Sequence, residues 1–267
     1  MDIDHRHVII GLFYGSIFYQ LPVGSGSDVL QNRASLFFFS LMFLCLGHAQ
    51  SVPFLLSDRT IFYHEKQAKL YPTLPYWLSQ WLVQVPLVVV NVLLFSICVF
   101  CLAGLYDDPD DSSSSSSSNS DSGNRAGADA FGVFFYLLMM ASLCGYFTVS
   151  LIAAVAPSAQ AALGLFPLFF FFNLTFAGYV IALPKFPVWL GSWLPYISFM
   201  RYAFQGVILN DFQGNDQHFP NEKYWIDDYL GFHTLSRDTC MGVLVLIAGG
   251  LNLLSWLALE LFHYEKR

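Results

Sequence analysis

The stretch from Arg59 to Trp77, RTIFYHEKQAKLYPTLPYW, gathers three basic residues, a carboxylate, a histidine and five aromatics between two intensely apolar segments. Glu65 with Arg59, Lys66 and Lys69 suits charge-assisted hydrogen bonds to the surface of another protein domain. Phe62, Tyr63 and Tyr71 are side chains of the kind that anchor such interfaces. The competing reading is a linker whose lysines and aromatics lie among lipid headgroups. His64–Glu65 opens like the zinc motif H-E-x-x-H, but Ala68 stands where the second histidine would be, which argues against zinc hydrolysis. Cys98 and Cys101 form a CxxC inside an apolar run with no second ligand pair nearby, so they are expected to be buried small apolar residues. Asn173-Leu-Thr matches a glycosylation sequon but also falls within an apolar run.

The elements that position these residues are legible in the charge distribution. Only 12% of residues are charged, about half the share of a soluble domain. No Asp, Glu, Lys or Arg occurs in 34–57, 70–106, 130–184 or 239–259, and each gap exceeds the ~20 residues that cross a bilayer core. Six spans are expected, at about 8–21, 34–56, 78–105, 130–154, 161–183 and 239–262. The first is short, as if the chain began partway through a longer helix. The fold class is therefore an all-α membrane protein. The net charge of −7 resides mostly in loops, and no nucleic-acid partner is expected.

Two connections stand out. Residues 106–129 hold the run Ser112–Ser118 among acids and glycines, a composition expected to stay disordered. In 184–238, Phe186, Trp189, Leu190, Trp193, Leu194 and Ile197 recur at helical spacing, predicting a helix with one aromatic face lying in the membrane interface or dipping into it. Basic residues divide six to six between the two sides, so charge counting leaves the orientation open.

Asn32-Arg33 followed by Leu36, Phe37 and Phe38, then Arg59, Phe62, Glu65, Tyr71, Pro75, Tyr76, Leu78, Leu82 and Pro86, and finally RYAFQGVILNDF resemble, in order and spacing, the membrane domain of the G subfamily of ABC transporters. One departure is that the small residue usual before the tyrosine is Lys69 or Leu70. The resemblance implies six membrane helices with cytoplasmic termini, a cytoplasmic coupling elbow at 58–77, and external segments at 106–129 and 184–238. It implies a partner ABC ATPase domain contacted through Arg59, Phe62, Glu65, Lys66 and Tyr71, and a second membrane domain, in a homo- or heterodimer. It also implies a substrate pathway at Phe43, Leu46, Phe170, Phe171 and Phe172, and an apolar gate at Tyr179 and Val180 after Gly178. The cargo would be a hydrophobic or amphipathic small molecule or a lipid, exported by alternating access.

The ATPase of such a transporter carries the phosphate-cradling loop G-x-x-x-x-G-K-[ST], which these 267 residues lack. ATP and magnesium are accordingly expected on a separate domain, with no cofactor held here and no catalysis by this chain alone. A fragment of a longer transporter is expected, the alternative being a half-transporter that recruits its ATPase. The expected location is the plasma membrane, or else an organelle membrane. A passive channel is the competing function, but no span carries the ring of charges or the filter-like loop that selectivity needs. An intramembrane enzyme would need paired carboxylates or an activated nucleophile at membrane depth.

Overall fold

The computed structural model describes residues 3–20, 27–105, 120–191, 193–212, 230–232 and 235–261. Among these, ten helices and no strands occur: α1 Ile3–Ile17, α2 Ser27–Gly47, α3 Val52–Gln67, α4 Thr73–Ala103, α5 Ser120–Val155, α6 Ala159–Thr175, α7 Val188–Gly191, α8 Leu194–Ile197, α9 Phe199–Phe212 and α10 Arg237–Leu261. A 3-10 turn, His48–Ser51, joins α2 to α3 so that one helical rod runs from the second expected span into the elbow.

Among the described residues four helical stretches are long and apolar enough to cross a membrane: Asp28–Gln67, Thr73–Ala103, Asp129–Val155 and Arg237–Leu261. The first and fifth expected spans are shorter, 15 residues in α1 and 17 in α6. At 1.5 Å per residue they reach only about 22 and about 25 Å.

Helix α5 is the hub, packing against α10, α9, α4, α2, α3 and α6. It begins at Ser120, so 120–129, expected in the disordered loop, is helical; Ala126, Ala128 and Ala130 favour that state. The poly-Ser run itself lies outside the described residues. Helix α1 lies along α4, and its Gly11-Leu-Phe-Tyr-Gly15 explains the closeness. A Cβ on Gly15 would come within 2.6 Å of the Leu102 side chain, and one on Gly11 within 3.3 Å of Phe95 and Cys98. Two small residues one helical turn apart let apolar helices approach where the hydrophobic effect supplies no drive.

The single aromatic helix expected at 186–197 is absent. Pro184, Pro187, Gly191 and Pro195 divide that segment into a 3-10 turn and the four-residue α7 and α8, because proline removes a helix donor and clashes with the preceding turn. Trp189 and Trp193 are exposed, as interface residues would be. The longer helix lies just beyond, in α9, where twelve of fourteen residues are buried. Residues 213–229 lie outside the described set.

Candidate functional site

The elbow is built by helix termination. Helix α3 ends with Lys69 in the left-handed conformation (φ 60°), with the Leu70 amide donating to Glu65 O at 3.2 Å and the Lys69 amide to Lys66 O at 3.0 Å. This is the Schellman ending, whose left-handed position is usually glycine, and it assigns the departure noted above to Lys69. Pro72 then precedes α4, and Pro75 sits in its first turn, where a missing amide proton costs nothing.

The two faces of α3 differ sharply. On the inner face Arg59, 6% exposed, donates through Nη1 to the carbonyls of Ala153 (2.6 Å), Ala154 (3.1 Å) and Ala156 (2.8 Å). A guanidinium there satisfies the orphan carbonyls at the end of α5 and complements its dipole. Phe62 is fully buried, stacked on Tyr76 at 4.1 Å and 11°. Both had been expected at the ATPase contact. The structure turns them inward, because their positions face α5 and α4, and so corrects that expectation.

Glu65 accepts a hydrogen bond from Tyr71 Oη, which pushes the Tyr71 phenol up to about 12. Lys66 pairs with Glu260 on α10 at 3.2 Å, and Thr73 Oγ1 donates to the same carboxylate. Trp77 Nε1 reaches Asn252 Oδ1 at 3.1 Å. The elbow is thus fastened to α5 and α10, while Ile61, Lys69 and Leu70 stay exposed on its outer side.

The gate residues part company. Gly178 has φ +92°, and a Cβ there would sit 3.0 Å from the Phe232 ring, so only glycine suits this turn. The reversal folds Tyr179 back onto α2, where its ring stacks on Phe38 at 4.5 Å and its hydroxyl meets Ser35 at 2.6 Å and Gln31 Nε2 at 3.2 Å. Val180 is exposed.

Nor are the pathway residues assembled into one surface within this chain. Phe43 is edge-on to Tyr14 of α1 at 5.0 Å, and Leu46 is exposed. On α6, Phe170 is buried and stacked on Phe166, Phe171 is exposed, and Phe172 contacts Phe169 and Phe176. Some of the polar residues within spans bond locally: Gln80 donates to Tyr76 Oη and Asn173 to Phe169 O, each four residues back, rather than across helices. His48 does bond across, to Ser142 Oγ at 2.8 Å. Of the CxxC pair, Cys101 is exposed and Cys98 half-buried, whereas Cys45, Cys144 and Cys240 are buried.

One buried pair escaped the reading of single residues. Arg33 Nη1 donates to both carboxylate oxygens of Asp211, at 2.9 and 3.0 Å, with side chains 5% and 13% exposed. Burial pushes the Asp211 carboxyl up, and Arg33 pulls it back. The signal lay in the motifs themselves: Asn32-Arg33 and Asn210-Asp211-Phe212, 178 residues apart, each carry one half. Close by, Gln205 donates to the carbonyls of Phe232 and Leu235, tying α9 to the segment before α10.

Residues 5–212 match the ABC-2 type transporter family. The chain belongs to that family. Its ABC-2 domain is of the G-subfamily type, in keeping with the resemblance in the sequence. It is 26% identical to the pig "Broad substrate specificity ATP-binding cassette transporter ABCG2", over 93% of this chain and 34% of the relative. It is 25% identical to "ABC transporter G family member 2" of Dictyostelium discoideum (78% and 14%). It is 24% identical to "ABC transporter G family member 53" of rice (97% and 17%). The chain thus spans about a third or less of these relatives' length. This ABC-2 chain is a helical membrane component of a transporter.

Proposed function

We propose that this domain is the membrane half of an ATP-driven exporter of hydrophobic or amphipathic compounds or lipids, working by alternating access as a dimer with six helices per domain. The observation that carries the reading is the two-faced elbow. Its inner face holds the end of α5 through Arg59 and the end of α10 through Lys66 and Thr73, while its outer face leaves Ile61, Lys69 and Leu70 open. A force applied to such a helix moves two membrane helices with it, since packed elements shift as units rather than deforming. ATP and magnesium belong to the domain that would press on it, because this chain offers no phosphate-cradling loop.

In this reading the contact with the ATPase is made by the outer face with Glu65 and Lys66 at its edge, and Arg59, Phe62 and Tyr71 act behind it as positioning residues. Phe171 and Leu46 present exposed apolar surface to the dimer partner or the cargo. Aromatic faces tolerate cargo of varied shape. The nearness of Tyr179 to α2 favours a gate that opens when α6 and α2 separate, with Val180 as its apolar part.

The test is Lys69→Glu combined with Leu70→Asp in the full-length transporter, in inside-out vesicles. ATP hydrolysis is expected to persist while ATP-dependent export of a fluorescent hydrophobic compound falls. Undiminished export would remove the elbow from coupling, and export without nucleotide would favour a passive pore.

A further inference from the structure

Between α3 and α4 lies a cavity of about 680 Å³ that contains none of the expected pathway residues. That volume falls within the range of small-molecule sites. Its walls are divided by polarity. Asp58, Gln80, Gln84 and Asn91 line it, and Asn91 is buried with its Oδ1 lacking any hydrogen-bond partner. Phe54, Val83 and Leu87 also line it, and these are 65%, 62% and 45% exposed, so their side opens toward the surface that lipid would cover.

The charge balance selects the ligand. Asp58 makes no hydrogen bond or ion pair among the described residues, although cations stand close in sequence. Arg59 is turned away to the α5 carbonyls, and Lys66 is engaged with Glu260. His48, also in the wall, is bonded to Ser142. Among the described residues no cationic side chain pairs with this half-buried carboxylate, which leaves it to a ligand of the opposite charge.

We propose that this cavity binds an amphipathic cation, its ammonium held by Asp58 with Gln80 and Gln84, and its apolar body leaving between Phe54, Val83 and Leu87. The ammonium has donors only, which suits a carboxylate and amide oxygens, and the apolar mouth suits entry from the bilayer rather than from water. The site sits at the root of the elbow, so occupancy would bear on α3 directly. Binding at this cavity is separable from export.

The experiment is equilibrium binding of radiolabelled dodecylamine and of dodecanol, its uncharged counterpart, to the full-length protein in phosphatidylglycerol nanodiscs, corrected with empty discs. Asp58→Asn is expected to weaken dodecylamine binding about tenfold or more while leaving dodecanol unchanged. Equal binding of dodecylamine by wild type and variant, or equal loss of both ligands, would overturn the proposal. Photoreactive dodecylamine on the wild-type protein gives a readout independent of the variant's folding. Labelling of peptides holding Phe54, Val83 or Leu87, competed by dodecylamine and not by dodecanol, supports the site, and labelling confined elsewhere overturns it. Competition by added phosphatidylethanolamine would identify the occupant as a lipid headgroup amine, and its failure to compete would identify a free amine.

Discussion

The rod formed by α2 and α3 carries a buried arginine near each end, and the two are neutralised in different ways. Arg33 faces a carboxylate, Asp211 of α9, whereas Arg59 faces neutral carbonyls at the end of α5. The first arrangement concentrates charge and loses solvation on both partners, so the pair is a means of registering α2 against α9 more than a source of net stability. The second spreads one charge over several backbone dipoles that need a donor in any case. The end near Arg33 is thus locked to a single element, while the end near Arg59 serves as a junction between the elbow and the helix at the hub of the fold.

The contrast can be broken most severely at the Arg33 end. Asp211→Ala removes the carboxylate that faces a buried guanidinium and is expected to cost about 3–5 kcal/mol, read as a lowered melting temperature in detergent. Arg33→Met with Asp211→Leu removes both charges and should recover most of that loss; a double variant as unstable as the single one would show that the pair itself stabilises. Next comes Arg59→Met, which leaves α5 carbonyls unsatisfied and is expected to cost about 1–3 kcal/mol, with hydrogen exchange accelerating at 150–156. Lys69→Gly relieves a left-handed lysine and is expected to stabilise the elbow by about 1 kcal/mol, visible as slower proteolysis at 66–71.

Smallest is Lys66→Ala. Its partner Glu260 is half exposed, so a change under about 1 kcal/mol is expected. The Tyr71–Glu65 bond should be indifferent to pH across the neutral range. The hydrogen bond to Glu65 pushes the folded phenol up to about 12, above its usual 10, so its contribution is intact below pH 10 and is lost as pH rises toward 12. Ultraviolet titration of Tyr71→Phe against the parent checks this.

Much of the architecture was legible in the chain. The charge-free runs 70–106 and 239–259 coincide almost end to end with the helices α4 and α10, since length and apolarity are additive along a helix. The aromatic segment at 186–197 was not, because spacing alone ignored the prolines and glycine that fragment it, and because α9, buried on nearly every side, has no polar face to betray it. The elbow's location followed from its motif, but which of its residues point inward did not. Arg59 and Lys69 look alike in a list of cations, yet one is buried and the other forms the exposed left-handed end of the helix.

A helical membrane chain of the G-subfamily transporter type can be read from the residues alone, because lipid admits long apolar helices and the ordered motifs span most of the chain. What each polar group faces emerges from the packing: Arg33 on Asp211 across 178 residues, Arg59 under the end of α5, and Asp58 lining a cavity. Residue type sets what a group needs, but which partner satisfies it depends on the packing of helices far apart in the chain.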